Sequence, residues 1–510
     1  MALTVALLYG CAFFLAVLAF FRGRKSSILP PGPKGWPVIG NIFDMPKHSD
    51  WITYAEWGRK YGPICSVNLM GKRMMIVNDA KTLAELDRKG AIYSDRPRLE
   101  MVGELVGYAN TIVLIRYNSR FRNCRKHISK MMGTISSIQK YLPVQEHETR
   151  RHLKRILADP EKLDESLRNC DHEGRRTSGS IILKVTYGID VQEENDPFVE
   201  LIESSNTNFG IATVPGAFLV DSFPALRHLP ENWPGAGFKR LAKKWAKVFD
   251  NVVEVPFAFT KEQMEAGVAP PSFLSSALTD EDLSPSELLD IKHTAASLYG
   301  AGAGTTVSAQ YAFYLAMLLY PDVQKKAQAE IDDVVGSDRL PGFADRENLP
   351  YVNAIVSEVL RWNNVAPIGF PHTATEDGVV GGYFVPKGSI IITNIWQILH
   401  DPEVYPDPFA FDPSRFIASP GKEVQRDPRH ACFGYGRRYC AGSHLAEASL
   451  FICFAMSLAV FDITNAVENG MPIVPVYEST SGIVSHPKPF KYCIKPRSER
   501  ASALVLADNS

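Results

Sequence analysis

The sequence predicts a mainly α-helical fold with small β-sheets. Helical periodicity dominates residues 120–365, and short runs of strand-forming residues occur near 64–77 and 383–393. A segment of about 36 residues that begins after Ser284 and ends before Pro321 predicts one helix roughly 54 Å long. No repeat, low-complexity tract or second linker divides residues 42–496, so we expect them to form one large domain.

The N-terminal segment predicts a membrane anchor. Residues 2–21, ALTVALLYGCAFFLAVLAFF, carry no charge and would span about 30 Å as a helix, the thickness of a bilayer's hydrocarbon core. The basic run RGRK follows directly, which orients that end toward the cytosol. A cleaved signal peptide is the alternative, but the apolar run is long and no small-residue cleavage site precedes the basic run. We therefore expect residues 1–21 to be a retained transmembrane anchor.

The rest of the chain divides into a connector, a folded domain and a tail. Residues 22–41 are first basic and then rich in proline and glycine (LPPGPKGWPVIGN), which predicts a stiff linker. Residues 42–496 form the expected catalytic domain, and residues 497–510 are expected to be a flexible tail.

Composition excludes several classes of function. The formal net charge is -1 with a pI of 6.9, so the chain has no overall basic footprint for nucleic acid. Its eight cysteines form no C-x-x-C pair, which argues against a disulfide framework or a zinc site and fits a reducing compartment. The basic stretches RFRNCRKHISK and KRLAKKWAK are local: each is either a solvated helix face or a docking surface for an acidic partner.

The long predicted helix has clear ends and an unusual centre. Ser284 is a good N-cap, Pro285 suits the first helical position, and Glu287 completes a capping box. Its middle, GAGAGTT at 300–306, contains three glycines, each of which costs about 1 kcal/mol relative to alanine in a helix. Either a neighbouring helix packs closely there, or the turn is loosened where a ligand lies against it. The two threonines that end the run favour the ligand.

The segment FGYGRRYCAG surrounds a single cysteine with glycines and arginines. A thiolate is a soft, strong donor for iron and can be the single protein ligand of a haem. Such a ligand requires a loop that approaches a flat porphyrin closely, N–H donors that tune the sulfur, and a cation for the porphyrin carboxylates. The segment supplies all three, and its pattern F-x-x-G-x-R-x-C-x-G falls on Phe433, Gly436, Arg438, Cys440 and Gly442.

On these residues the chain resembles the cytochrome P450 family, and the resemblance covers residues 30–496. It implies the P450 fold, with haem b between the long glycine-interrupted helix and the cysteine loop, and with Cys440 as the axial thiolate on iron. The segment SEVLRW contains E-x-x-R at Glu358 and Arg361, a spacing that puts both on one helix face. FDPSRF supplies Arg415, and the resemblance implies a structural Glu–Arg–Arg cluster; an exposed ion pair is the alternative.

The resemblance also implies residues that bind the haem propionates. Arg438 lies in the cysteine motif, and His372 in FPH stands where members place a basic residue toward a propionate. Arg125 matches the arginine of the family's W-x-x-x-R helix, but Phe121 stands at the tryptophan position and has no indole N–H to donate. A solvent-facing histidine and a surface arginine are the alternatives for His372 and Arg125.

The centre of the long helix carries the implied catalytic positions. Thr305 matches the family's threonine that helps deliver protons on the distal side of the haem, whereas Gly304 stands where members carry an acid. No carboxylate at 304 can relay protons from solvent. Three interpretations stay open: water in the space left by the missing side chain, a proton path through the substrate, or a slow or altered enzyme.

The resemblance implies a monooxygenase that inserts one oxygen atom from O₂ into an apolar small molecule. Because no flavin or nicotinamide domain is visible, we expect electrons from NADPH to arrive through a separate NADPH–cytochrome P450 reductase. The anchor implies the endoplasmic reticulum membrane with a cytosolic catalytic domain. By resemblance, the pocket walls come from 101–114, Phe209, 365–369 and 480–484.

Three stretches, NIFDMP, VPGAFLVDSFPALRHLPENWPGAGFKR and RDPRHACFGYGRRYCAG, resemble fungal secondary-metabolism members such as O-methylsterigmatocystin oxidoreductase and tryptamine 4-monooxygenase. This implies a terpenoid, polyketide or indole substrate, or a xenobiotic. A non-oxygenating haem-thiolate isomerase or dehydratase is one alternative, because Gly304 replaces the acid. A membrane-tethered haem-binding protein is the other.

Overall fold

The computed structural model describes residues 28–163, 176–193, 195–279 and 282–507. The expected membrane anchor at 1–21 lies outside these residues. The helices, in chain order, are α1 (Asp50–Tyr61), α2 (Ala80–Arg88), α3 (Ser119–Met132), α4 (Ile135–Ile138), α5 (Leu142–Ala158), α6 (Arg176–Tyr187), α7 (Pro197–Ala212), α8 (Leu219–Ser222), α9 (Gly237–Glu265), α10 (Phe273–Ala277), α11 (Pro285–Leu319), α12 (Pro321–Val334), α13 (Pro350–Trp362), α14 (Ile395–Leu399), α15 (Arg429–Cys432), α16 (Ser443–Val460) and α17 (Glu499–Leu506).

The strands are short and form one four-stranded sheet and three two-stranded ribbons. They are β1 (Ile64–Leu69), β2 (Lys72–Val77), β3 (His372–Thr373), β4 (Gly378–Val380), β5 (Tyr383–Val385), β6 (Ile390–Thr393), β7 (Phe461–Thr464), β8 (Val467–Glu468), β9 (Met471–Pro472) and β10 (Cys493–Pro496). The larger sheet has the order β1-β2-β6-β3, in which β2 and β6 are parallel and the other pairs antiparallel. A mainly α fold with small sheets is therefore confirmed.

Helix α11 begins and ends as the sequence predicts. The Ser284 side chain accepts a hydrogen bond from the backbone N–H of Glu287, and the Glu287 carboxylate accepts one from the Ser284 N–H in return. This reciprocal capping satisfies donors that a helix start leaves unpaired. At the other end Tyr320 leaves the helical conformation, and Pro321 is the first residue of α12.

Two hydrophobic clusters meet along α11. One cluster packs α6, α7 and α9 against its first half, from Ile291 to Ala303. The other packs α13 and α16 against its second half, from Val307 to Leu318. The three residues between these stretches, 304–306, belong to neither cluster. The packing therefore leaves the centre of α11 free to border a cavity.

The C-terminal region differs from the expected flexible tail. Ser498 caps α17 by accepting from the backbone N–H of Ala501, and Ala501 and Val505 are buried. Arg150 of α5 also donates to the Leu504 carbonyl at 2.9 Å. The expectation is therefore corrected for these residues: apolar side chains three and four apart, in ASALVL, give the segment a face that packs.

Helix α16 is the one described helix long and apolar enough to cross a membrane. However, 78% of Ser443–Val460 is buried inside the fold. Its composition therefore matches its place in the core, between α11 and α5.

Candidate active site

A cavity of about 750 Å³ borders the centre of α11. All four wall segments expected from the sequence contribute to it. Apolar and small side chains provide most of the wall, and α7 and α9 supply a second side of it. The wall residues from the expected segments are Tyr108, Thr111, Ile112, Val113, Phe209, Val365, Ala366, Gly369, Ser481, Gly482, Ile483 and Val484.

Helix α11 stays continuous through its glycines, so the expected loosening of the turn does not interrupt it. The glycines instead allow close approach. A Cβ on Gly302 would lie 2.7 Å from Cδ1 of Ile182 on α6. A Cβ on Gly300 would lie 3.3 Å from Oδ1 of Asn206 on α7. Both glycines also line the cavity, so the helix packs closely against its neighbours and borders the ligand space at the same place.

Thr305 and Gly304 both lie on the cavity wall. The Thr305 hydroxyl donates to the Ala301 carbonyl at 2.8 Å, which orients its oxygen and leaves that oxygen able to accept. Gly304 is buried and adds no polar side chain. Among the described residues that line the cavity there is no aspartate or glutamate. A protein carboxylate on the wall therefore does not replace the missing acid.

The cysteine loop is shaped by its own backbone. The N–H of Cys440 donates to the Phe433 carbonyl at 2.8 Å, which closes the loop. Gly436 has φ of +62°, a left-handed conformation that favours glycine. A Cβ on Gly436 would lie 3.2 Å from Oγ of Ser94, so this glycine faces the body of the protein and is not a wall residue. Its expected contact with the cofactor is corrected accordingly: it lets the loop lie close to the segment after α2.

The Cys440 side chain opens onto the cavity, as does Phe433 beside it. Burial away from bulk water raises the pKa of the Cys440 thiol above its usual range. The backbone N–H of Gly442 and the positive charge of Arg125 act in the opposite direction, because both favour the thiolate. The loop therefore holds a thiol that is exposed to the cavity and lies beside charge-stabilising groups.

Three arginines line the cavity near this loop: Arg438, Arg125 and Arg96. Arg438 donates to the carbonyls of Ser94 at 2.8 Å and Ile112 at 3.0 Å. Arg96, which the sequence reasoning missed, donates to the carbonyls of Val113, Phe370 and Pro371, each at 2.8 Å. Backbone carbonyls thus position the buried guanidinium group of Arg96 and the half-buried one of Arg438 without neutralising them.

The positive charges of these arginines are only partly balanced by nearby negative charge. Burial and the neighbouring charge of Arg96 lower the pKa of Arg438 to about 8. The charge of Asp95 raises the pKa of both Arg438 and Arg96. However, Arg116 and the backbone N–H of Tyr117 already bind the Asp95 carboxylate. One buried and two half-buried arginines, with no carboxylate among the described wall residues, fit a ligand that brings its own negative charge. With the cysteine thiol on the same wall, these residues fit haem and its two propionates.

His372 differs from the expected basic residue in its charge. It is buried, and its Nδ1 donates to the Tyr93 carbonyl at 2.6 Å. Burial, followed by the charge of Arg96, holds the pKa of His372 well below its usual range, so the ring is neutral at pH 7. The Tyr93 bond fixes the tautomer and leaves Nε2 for the cavity. Only a nearby anion would favour a proton there.

Phe121, which stands at the family's tryptophan position, contacts Arg438 through its ring. Its ring is buried, and the Arg438 guanidinium carbon lies 3.8 Å from the ring centroid. A cation over an aromatic face is attracted to the ring's electrons. Phe121 therefore supports Arg438, although it donates no hydrogen bond of its own.

The structure brings Glu358, Arg361 and Arg415 together in the core. Arg361 donates to both carboxylate oxygens of Glu358 at 2.7 and 2.8 Å, and Arg415 Nε lies 3.4 Å from the same carboxylate. The three side chains are 0%, 0% and 3% exposed. Both arginines also donate to backbone carbonyls of the segment 406–410. The buried cluster thus links α13 by hydrogen bonds to the segment 406–410, which precedes the cysteine loop in the chain.

Comparison with known proteins agrees with this arrangement. The cytochrome P450 family model matches residues 30–494. Cytochrome P450 monooxygenase 208 of Postia placenta is 50% identical over 503 residues, covering 98% of this chain and 97% of the relative. Cytochrome P450 monooxygenase claR of Ampulloclitocybe clavipes is 44% identical, covering 96% and 90%. Cytochrome P450 monooxygenase CLM2 of Gibberella zeae is 40% identical, covering 99% and 96%. With a cysteine loop, a cation cluster and a glycine-rich helix around one cavity, the chain belongs to the cytochrome P450 family and is a monooxygenase.

Proposed function

We propose that Cys440 is the axial ligand of haem b and that Arg438, Arg125 and Arg96 bind its propionates. The observation that carries this assignment is the cavity wall itself, which combines the exposed Cys440, the half-buried Cys432, three arginines and no carboxylate among the described residues. His372 completes the set: its free Nε2 gains a proton when a propionate lies beside it, because an anion favours the charged ring. The monooxygenase comparisons favour this function over an isomerase, a dehydratase or a haem-binding protein.

When bound, haem supplies the chemistry that reduces O₂ with two electrons and two protons, placing one oxygen atom in a C–H or C=C bond and releasing the other as water. The protein's share is to position the reactants and to control access of protons and water. The Gly442 N–H and the Arg125 charge stabilise negative charge on the Cys440 sulfur. The apolar wall orients the substrate and excludes bulk water.

Thr305 is the proposed proton donor at its Oγ1. In the structure the hydroxyl donates to the Ala301 carbonyl, with 2.8 Å between the two oxygens. The hydroxyl hydrogen can rotate toward the cavity, and the lone pairs of Oγ1 can then accept a new proton. Because Gly304 and the described wall provide no carboxylate, we propose that water in the space beside Gly304 delivers that proton. A substrate group is the alternative carrier, and a slow enzyme is the outcome if neither operates.

The expected electron donor is a separate NADPH–cytochrome P450 reductase. Exposed cations support docking of an acidic partner near the cysteine loop: Arg122, Lys126 and Lys130 on α3, and Arg437 beside Cys440. We further propose that residues 1–21 anchor the enzyme in the endoplasmic reticulum membrane with the catalytic domain in the cytosol. The substrate is an apolar small molecule, either a fungal secondary metabolite of the terpenoid, polyketide or indole type or a xenobiotic.

The carbon monoxide difference spectrum of the reduced protein tests the ligand assignment. A strongly red-shifted Soret band is expected for the wild type and should disappear in Cys440→Ala. Cys432→Ala is the matched control, because this second cysteine also lines the cavity but lies outside the ligand position of the motif. Loss of the band in Cys432→Ala with retention in Cys440→Ala would overturn the assignment.

The proton route is tested by Gly304→Asp. If water serves the relay, the added carboxylate should raise the rate of product formation or leave it unchanged, and should alter its pH dependence. A fall in hydrogen peroxide released per electron consumed would accompany better proton delivery. Unchanged coupling and pH dependence would show that position 304 lies outside the proton path.

A further inference from the structure

Two charged side chains that bind each other stand on either side of the cysteine loop. Arg429 in α15 precedes Cys440 by eleven residues, and Glu447 in α16 follows it by seven. Arg429 donates from Nε to Glu447 Oε2 at 2.7 Å. This ion pair, which we call the clasp, joins the two ends of the segment 429–447 and closes the cysteine loop at its base.

Arg429 also connects the clasp to the core. Its Nη1 donates to Ser357 Oγ on α13 at 3.1 Å and to Asp427 Oδ1 at 3.0 Å. Ser357 is buried. The side chains of Arg429 and Glu447 are 22% and 15% exposed, so water screens their charges only in part. One guanidinium group therefore holds α13, α15 and α16 together.

The Glu447 carboxylate has one other positive neighbour. Arg346 Nη2 lies 3.9 Å from Glu447 Oε2, which is too long for a hydrogen bond. Arg346 instead donates from Nε to Asn353 Oδ1 at 3.0 Å, and its guanidinium carbon lies 5.1 Å from the Phe451 ring centroid. In the described part of the chain, Arg429 is therefore the cation that binds Glu447 directly.

The backbone groups that hold Cys440 follow directly from the two clasped elements. Helix α15 leads into Phe433, whose carbonyl accepts the Cys440 N–H at 2.8 Å. Helix α16 begins directly after Gly442, whose N–H stabilises negative charge on the Cys440 sulfur. A separate contact, from the Gly436 N–H to Asp87 Oδ1 at 2.6 Å, holds the middle of the loop. The clasp thus fixes the flanks of the loop, and Asp87 fixes its centre.

We propose that Arg429 and Glu447 are positioning residues that keep the Cys440 sulfur bound to the haem iron. Neither side chain lines the cavity, so both act through the backbone of Phe433 and Gly442. This inference rests on the proposed role of Cys440 as the haem ligand. When the clasp is broken, α15 and the start of α16 are free to separate, and the sulfur loses the N–H that stabilises its charge.

The test follows the red-shifted Soret band of the reduced carbon monoxide complex in urea below the unfolding midpoint. The rate at which this band converts to a shorter-wavelength band measures loss of the iron–sulfur bond, and circular dichroism of the same samples reports the folded chain. Arg429→Gln and Glu447→Gln each remove one charge of the clasp. Each should convert about three- to tenfold faster than the wild type, as expected for one charge-assisted and partly exposed bond. Arg429→Lys keeps the charge and should convert at an intermediate rate.

A double variant tests whether the two side chains act as one unit. Arg429→Gln combined with Glu447→Gln should convert within about twofold of the faster single variant, because the same contact is lost only once. The matched control is Glu148→Gln on α5, which breaks an ion pair with Arg151 at 2.9 Å whose side chains are 9% and 21% exposed. Its burial resembles that of the clasp, but it lies away from the cysteine loop, so it should keep the wild-type rate.

The proposal is overturned if both single variants convert at the wild-type rate, if the effects multiply in the double variant, or if Glu148→Gln accelerates conversion equally. It is also overturned if the helical signal is lost as fast as the band, because the clasp would then support only the fold. Variants that keep the wild-type urea midpoint but retain no haem support it. Absence of the red-shifted band in the wild type would refute the proposed ligand and this inference together, whereas a normal wild-type band with unchanged variant rates refutes this inference alone.

Discussion

Removal of the Glu358 carboxylate should destabilise the protein severely. In Glu358→Ala, Arg361 and Arg415 stay buried without their counter-charge, because they are 0% and 3% exposed. The backbone N–H of Asp412, which donates to Glu358 at 2.8 Å, also loses its acceptor. Breaking one partner of a buried ion pair costs about 3–5 kcal/mol, and an unpaired buried N–H adds about 1–3 kcal/mol.

These terms share one site, so we expect a total loss of about 4–6 kcal/mol in the free energy of unfolding. A loss of about 4 kcal/mol already shifts the folding equilibrium several hundredfold. Burial raises the pKa of Glu358 despite the hydrogen bonds from Arg361, so the carboxylate depends on its partners to stay charged. Glu358→Gln, which keeps the volume and one acceptor oxygen, should lose less than Glu358→Ala.

The assay is urea unfolding followed by tryptophan fluorescence, with haem absorbance recorded on the same samples. The control is Glu478→Ala, which breaks an ion pair with Lys488 at 2.7 Å whose two side chains are each 56% exposed. An exposed pair contributes about 0–1 kcal/mol, so this variant should unfold close to the wild type. The reasoning is refuted if Glu358→Ala and Glu478→Ala differ by less than about 1 kcal/mol.

Three further predictions concern packing, backbone and pH. Gly302→Ala should lower stability by about 1–3 kcal/mol because its Cβ would lie 2.7 Å from Ile182, and the same change should be nearly neutral in an Ile182→Ala background. Gly436→Ala, at φ +62°, should cost about 1–2 kcal/mol from its backbone alone. Burial lowers the pKa of His152 and of His400 to about 3, so the folded protein keeps both neutral while the unfolded chain binds protons below about pH 6.5. Stability should therefore fall as pH falls, by about 1.4 kcal/mol per histidine per pH unit below 6.5.

The same urea assay checks all three with matched comparisons. Gly388→Ala has φ +80° and open space around its Cβ, so a loss at Gly436 larger than at Gly388 measures the added contact with Ser94. For the histidines, His400→Gln should reduce the slope of stability against pH between 5.5 and 4.5 by about one proton. An unchanged slope would show that His400 is not held neutral.

The sequence predicted local features such as helix caps correctly, because the residues that form them are close together in the chain. Ser284 and Glu287 are three residues apart, so a capping box could be read directly and appears in the structure. The alternation of helical and strand patterns gave the mainly α fold with small sheets. The same reasoning misjudged the tail, because α17 is stabilised by contacts with α5 that lie far away in the chain.

Arg96 could not be found from the sequence. Arg96 stands in a loop, and only the folded chain shows that its guanidinium is buried among the carbonyls of Val113, Phe370 and Pro371.

By itself the sequence determined which residues are proposed to hold the cofactor, because the proposed ligand cysteine, its glycines and its arginine lie within ten consecutive residues, from Phe433 to Gly442. The tertiary structure decided the charge and the accessibility of that site. It made His372 neutral, placed no carboxylate among the described wall residues, and turned Gly436 away from the cavity. Burial and the sum of surrounding charges depend on segments hundreds of residues apart, and only the folded chain brings those segments together.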